Sequence, residues 1–332
     1  MDKVLLCAIQ RCQFLKSREK TSLAAVIDTA NKLTSLSKER LSGITGRNHR
    51  NARWNPEELL EKGREDMRLT EKRGIRIVSC WDADYPPQLR EIYDPPLLLF
   101  SRGTLPDPST PLVSVVGTRR PTGTGIKSSY RLALELALNG VPVVSGLARG
   151  IDGAAHRGAL AGGGVTFGIL GCGIDTIYPG EHKSLAGKIL ETGGGLLSEY
   201  PPGEPPTKYR FPERNRIISG LARTVVLGQC PEKSGALITA NYALDQGRDL
   251  LVLRDGTEGG MGKGGRNLAE EGARVVADAA EVLEEWGTVP VSTLEKVTGR
   301  NNRSPAGEMA ERLELELSGE LIRIMGMEYL CR

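Results

Sequence analysis

The chain has 332 residues, enough for two or three domains and a sizeable buried core, and its 39% hydrophobic and 26% charged content is that of an ordinary soluble protein. A formal net charge of only +3 excludes a polycation that coats nucleic acid indiscriminately, so any anion site is a local patch, and aromatics at 5% argue against many bases each stacked on its own ring. The six cysteines, Cys7, Cys12, Cys80, Cys172, Cys230 and Cys331, form no CxxC pair, which argues against a zinc or redox motif and for reduced thiols.

The first apolar stretch, Val4 to Ile9, is short and runs into Arg11, Lys16, Arg18 and Lys20, whereas a secretory signal puts its basic residues first. No run nears the roughly 18 apolar residues of a membrane span, so a cytoplasmic protein with no membrane partner is expected. Residues 1 to about 80 read as helical, with Leu, Ala and Ile at three- and four-residue spacing and no strand alternation before Ile75-Arg76-Ile77-Val78. Within them, Leu41-Ser42-Gly43-Ile44-Thr45-Gly46 resembles the turn of a helix-hairpin-helix, which either approaches a DNA phosphate or joins two helices with no ligand. Between Asp82 and Pro111, Tyr85-Pro86-Pro87 and Asp94-Pro95-Pro96 precede Leu97-Leu98-Leu99-Phe100. Proline fixes φ and removes donors, so an extended connector with a boundary near residue 105 is expected.

From Pro111 strands alternate with helices, which implies a parallel sheet covered on both faces. The expected strands are Val113–Gly117, Val141–Ser145, Thr166–Leu170, Leu196–Glu199, Thr224–Leu227, Leu250–Leu253 and Arg274–Val276, each short, apolar and bounded by Gly or Pro. After Trp286 the pattern reads helix, helix, then a hairpin of Leu321–Ile324 with Glu328–Leu330: a winged helix or a plain helical cap. The expected division is a helical domain with its connector over 1–105, a Rossmann-like core over 106–287 and a small domain over 288–332.

The first strand ends in Gly117-Thr118-Arg119-Arg120-Pro121-Thr122-Gly123 and enters a helix, placing hydroxyls and the helix's positive end at the carboxyl edge where anions bind. The spacing is not GxGxxG, and two guanidinium forks suit the exposed phosphates of a polymer better than a buried cofactor. The second strand ends in Ser145-Gly146-Leu147-Ala148-Arg149-Gly150-Ile151-Asp152. His156 follows Asp152 by one turn, but no Ser or Cys is placed to complete a triad, and packing is the plainer reading. After the third strand, Lys183 either binds a phosphate as a point charge or is an ordinary surface lysine. Lys208-Tyr209-Arg210-Phe211-Pro212-Glu213-Arg214-Asn215-Arg216 interleaves cations with rings, as a single-strand binder does, although one ring is expected in the core and Arg216 suits a carboxylate of the fold. Lys233-Ser234-Gly235 opens a helix after the fifth strand, so five loops gather on one edge.

These strings, with Leu197-Ser198-Glu199-Tyr200-Pro201 and Ser234-Gly235-Ala236-Leu237-Ile238-Thr239-Ala240, resemble the DNA-processing (DprA/Smf) family in order over about 85–285. The resemblance implies an α/β fold: an extended Rossmann-like core, an N-terminal helical domain of SAM or helix-hairpin-helix type, and a C-terminal winged helix. It implies a non-enzymatic single-stranded DNA-binding protein, commonly a homodimer, that protects DNA and helps load the RecA recombinase during natural transformation. Position by position it puts DNA contacts on Arg119, Lys183 and Lys208, and the dimer surface near Asn267–Val276. The full expected DNA-binding set is Gly117, Thr118, Arg119, Arg120, Thr122, Ser145, Gly146, Arg149, Gly150, Lys183, Lys208, Phe211, Arg214, Asn215, Arg216, Ser234 and Gly235, with no catalytic residue, metal or cofactor. Gln229 stands where many relatives carry an acidic residue, and Arg254-Asp255-Gly256 where they carry Pro-Gly. The rival is a nucleotide-hydrolysing enzyme of the LOG type, whose Pro-Gly-Gly-x-Gly-Thr loop is replaced here by Lys233-Ser234-Gly235-Ala236-Leu237.

Overall fold

The structure, a computed structural model, describes residues 2–288 and, beyond them, the backbone of three short strands. Five helices come first: α1 (Lys3–Gln10), α2 (Ser17–Val26), α3 (Ala30–Thr34), α4 (Lys38–Thr45) and α5 (Pro56–Lys72). Asp2, Thr29, Ser37 and Asn55 each accept an amide of the helix they precede, and Pro56 opens α5 where its missing N–H is no loss. Apolar residues of α1, Leu5, Leu6 and Ile9, bury completely or nearly so. α5 packs so closely on α1 that a Cβ on Gly63 would stand 2.5 Å from the Val4 carbonyl. The motif Leu41–Gly46 differs from the expected hairpin: it runs along α4, with Gly43 inside the helix, and ends it at Gly46, whose φ of +69° suits a glycine C-cap.

The Pro-rich passage also differs from an extended connector. β1 (Arg76–Ser79) and β2 (Leu98–Gly103), separated by the single turn α6 (Pro87–Arg90), pair antiparallel and join the main sheet. The cause is Leu97 to Phe100, all fully buried; this run gains more by burial on both faces than the prolines cost, because the prolines lie outside the strands.

The chain then alternates β3 (Val113–Val116), α7 (Gly123–Leu138), β4 (Val143–Ser145), α8 (Ile151–Ala161), β5 (Thr166–Leu170), α9 (Lys183–Glu191), β6 (Gly195–Ser198), α10 (Arg210–Leu221), β7 (Thr224–Leu227), α11 (Gly235–Asp245), β8 (Asp249–Leu253), α12 (Lys263–Glu270), β9 (Arg274–Val276) and α13 (Ala279–Glu284). All seven expected strands are present, with ends within two residues of those read from the sequence. The nine-stranded sheet has the order β1-β2-β6-β5-β4-β3-β7-β8-β9, and β6 to β9 in that list are parallel. Val113 and Val115 pack with α7 and α8 on one face, while Val116, Val144 and Phe167 belong to the core of the other. The order reverses at β3: β4 to β6 lie on one side and β7 to β9 on the other. Such a switch point leaves a crevice at the carboxyl ends of β3 and β7.

Beyond residue 288, β10 (Leu294–Lys296), β11 (Leu321–Ile324) and β12 (Met327–Cys331) form an antiparallel sheet in the order β10-β12-β11, with the expected hairpin pairing Ile324 to Met327. The helices expected between them fall outside the described residues.

Candidate nucleic-acid interface

A cleft of about 660 Å³ opens over the switch point. Its walls come from five segments: Gly117 to Arg120 after β3, Ala148 and Asp152 after β4, Tyr178 after β5, Lys208 to Asn215 at the start of α10, and Lys233 to Ala236 at the start of α11. The five loops therefore meet, as a parallel sheet requires.

Backbone groups fix the floor. Gln229, buried after β7, accepts the Thr122 amide at 2.8 Å on its Oε1 and donates to Thr122 Oγ1 at 3.1 Å, while its carbonyl accepts the Thr118 amide at 2.7 Å. The neutral amide thus serves as donor and acceptor at once, clamping the loop after β3 to the loop after β7. Thr122 in turn caps α7 by accepting the Gly125 amide. Gly150 has φ +75° and leaves 2.3 Å between the Thr118 carbonyl and the place of a Cβ, so only glycine lets the loops after β3 and β4 approach this closely.

The rim carries unpaired positive charge. Arg119, Arg120, Lys208 and Lys233 are exposed, and among the described residues none of them has a carboxylate partner. The Arg119 guanidinium lies 5.2 Å from the centroid of the Phe211 ring, and Tyr178 lies 5.4 Å from the same ring, inclined by 35°. Phe211 rests on Gly171, where a Cβ would meet the ring at 2.7 Å. A column of Arg119, Phe211 and Tyr178 results, and Tyr178, 46% exposed, keeps a face open. Sequence reasoning left Tyr178 out of the site; the signal for it was an aromatic residue in the loop after a central parallel strand.

Other expected contacts are placed differently. Arg214 is buried beneath the cleft and donates to the carbonyls of Gly146, at 2.8 Å, and Ile169; burial pushes its guanidinium down to about 10, against the attraction of Asp152. Asp152 accepts the Gly146 amide at 3.1 Å, and burial raises its pKa. Arg214 is thus the brace joining the ends of β4 and β5. Arg216 points to the opposite side of α10, bonding Glu199 at 2.8 Å and lying 3.4 Å from Asp94, a carboxylate pairing of the kind anticipated. Arg210, also buried, pairs with Glu204. Of the four cations in 208–216, only Lys208 is free at the cleft. Ser145 is buried and donates to the Val115 carbonyl at 2.6 Å, so it too is part of the floor. Asn215 lines the cleft with Nδ2 3.4 Å from the Gly235 carbonyl, and Ser234 caps α11 by accepting the Ala236 amide. Arg149 pairs with Glu181 in solvent, and Lys183 is exposed at the start of α9; neither lines the cleft.

His156 forms no pair with Asp152. Its Nδ1 lies 2.8 Å from Thr166 Oγ1, which itself donates to the Val143 carbonyl, so Nδ1 carries the proton; burial lowers the pKa to about 3. Among the described residues no cluster of three His, Cys, Asp or Glu side chains is placed to hold a metal, and no helix is long and apolar enough to cross a membrane.

Comparisons with known proteins agree with this geometry. The family model of DNA recombination-mediator protein A matches residues 76–287, which takes in β1 to α13 and the whole cleft. DNA processing protein DprA of Streptococcus pneumoniae is 43% identical over 208 residues, covering 63% of this chain and 73% of its own. Protein Smf of Escherichia coli is 44% identical over 226 residues, covering 64% of this chain and 60% of its own. In three dimensions the chain matches DNA processing protein A from Streptococcus pneumoniae with a TM-score of 0.70 at 33% identity, over 86% of this chain and 98% of the other. It also matches the Helicobacter pylori protein solved for its single-stranded DNA binding mode, with a TM-score of 0.57 at 30% identity over 64% and 95% of the two chains. With more than half its length matched, and matched where the cleft is built, the chain belongs to the DNA recombination-mediator protein A family, which includes the DprA/Smf proteins.

Proposed function

We propose that the protein binds single-stranded DNA across the cleft, mainly through phosphates and without strong sequence preference. One observation carries the reading: Arg119, Arg120, Lys208 and Lys233 stand unpaired around a ring column at the switch point of the sheet. Phosphates bind the cations and the amides opening α7 and α11, while an unstacked base lies against the Tyr178 and Phe211 column. A duplex keeps its bases stacked and offers no such face. Thr118, Gly117, Thr122, Ser145, Gly146, Gly150, Arg214 and Gln229 shape the floor, and Lys183 adds positive charge outside it, whereas the charge of Arg149 is met by Glu181.

Kinship supports the wider role. Protection of DNA and loading of the RecA recombinase during transformation, a homodimer through the late core near Asn267–Val276, and work in the cytoplasm rest on the family likeness. So do a SAM or helix-hairpin-helix character for the first helices and a winged helix at the end. We divide the chain into that helical region, a core that starts at β1 because β1 and β2 join its sheet, and the C-terminal part after residue 287.

The protein carries out no catalysis in this reading. Asp152 is the one carboxylate among the described residues lining the cleft, and it already accepts the Gly146 amide. Titration against single- and double-stranded oligonucleotides of one sequence tests the proposal: single strands bind more tightly, and nucleoside monophosphates release no base. Equal affinity for the duplex, or base release, overturns it.

A further inference from the structure

α10 and the two residues before it form a wall between two clefts. Lys208, Phe211 and Asn215 line the first, whereas Tyr209, Arg210, Glu213 and Arg216 line a second cleft of about 500 Å³, shared with α1, α2 and the segment before β2.

Two buried groups facing this second cleft lack bonding partners. Lys20 is 9% exposed and, although Glu199 attracts it, its ammonium makes no hydrogen bond or ion pair among the described residues. Gln10, 4% exposed, donates from Nε2 to the Glu199 carbonyl at 2.8 Å, but its Oε1 accepts nothing. The Lys20 ammonium, without a protein partner in the cleft wall among the described residues, favours an incoming anionic oxygen, whereas the Gln10 amide oxygen is closed off from the cleft surface. A nucleotide's phosphate supplies that anionic oxygen.

The mouth of the second cleft fits the same ligand. Lys16 and Arg18 are exposed with no carboxylate beside their charged groups, among the described residues. Tyr209 is 58% exposed, and Tyr93 is 80% exposed with Arg18 4.8 Å from its ring centroid. The carboxylates lining the cleft already have partners: Asp94 and Glu199 bond Arg216, Glu204 bonds Arg11 and Arg210, and Glu213 accepts the Tyr200 hydroxyl at 3.1 Å. Asp94, Glu199 and Glu204, each paired with a guanidinium, therefore oppose a phosphate less than free acids do, while the exposed Glu213 keeps its full charge.

We propose that a single strand leaving the first cleft past Lys208 crosses the start of α10 over Tyr209 and enters the second cleft, its phosphates held by Lys16 and Arg18 and a base lying on Tyr209. This path rests on the reading of the first cleft and extends it to a continuous groove.

An oligothymidylate length series with the intact protein tests the path. Wild-type affinity rises beyond the length that fills the first cleft. The double variant Lys16→Ala, Arg18→Ala binds the shortest strand as wild type does, loses the later gain, and on long strands flattens the salt slope by about 1.4, two contacts at roughly 0.7 each. Photo-crosslinking with iodouracil in a long strand marks Tyr209 as well as Tyr178 or Phe211. A wild-type affinity that stops rising at the shortest length, a double variant indistinguishable from wild type on long strands, or crosslinks confined to Tyr178 and Phe211 overturns the path and leaves the first cleft standing. Wild-type binding at every length by Arg119→Ala, Lys208→Ala overturns the first cleft itself.

Discussion

At the rim of the first cleft Arg119 and Arg120 stand in solvent with no carboxylate beside them, whereas Arg210, Arg214 and Arg216 on α10 are buried and bonded to Glu204, to backbone carbonyls, and to Glu199. The same side chain performs two kinds of work on neighbouring segments. A guanidinium that is to capture a phosphate must keep its donors open, and one that is to hold loops together must have them all engaged. The difference separates residues whose loss weakens binding from residues whose loss weakens the fold.

The sharpest way to break this contrast is Arg216→Ala. It leaves Glu199 buried without its guanidinium, with an expected loss of about 3–5 kcal/mol in urea-unfolding stability. Arg216 holds the Glu199 carboxyl below the usual carboxylate range, so this contribution is present above the ordinary glutamate range and is lost as pH falls below it. Comparing unfolding of wild type and variant at neutral and acid pH checks the sign: the gap between them narrows in acid. Next comes Arg119→Ala with Lys208→Ala, expected to change stability by no more than about 0.5 kcal/mol while single-strand affinity falls about ten- to hundredfold. Should that pair unfold the protein instead, the division of labour fails.

Phe211→Ala probes the ring column. It is expected to weaken single-strand binding by about 1 kcal/mol, the low end for one stacked base, because Tyr178 remains. Equilibrium binding at fixed salt reads this out, and the duplex affinity stays the same. The smallest effect belongs to Arg149→Ala, which breaks an exposed pair with Glu181 outside the cleft: stability and affinity both change by less than about 1 kcal/mol. A large loss of binding there moves the interface toward α8 and α9.

The sequence made the core legible because strands buried on both faces are written as short apolar runs between glycines, and because loops after parallel strands must share an edge. Of the arginines of 208–216, only Arg216 was read as suiting a carboxylate, and even it stayed among the expected DNA contacts. The partners that bury Arg214 and Arg216, the Gly146 and Ile169 carbonyls, Glu199 and Asp94, come from distant parts of the chain, and one-dimensional spacing does not show which guanidinium meets them. Tyr178 was hidden for the same reason, since its role depends on Phe211 arriving from another loop. The alternation at Ile75–Val78 marked β1, but the prolines that follow obscured β2 and its pairing into the sheet, and the glycines of 41–46 suggested a hairpin where one lies inside a helix and one ends it.

The central claim is that unpaired cations on the rim of the first cleft, rather than the overall charge of the chain, hold the strand. Its most direct test is the salt dependence of single-stranded DNA affinity for wild type and for Arg119→Ala, Lys208→Ala. Removal of two phosphate contacts is predicted to flatten the log–log slope by about 1.4 with the fold intact. An unchanged slope in a folded variant contradicts the account.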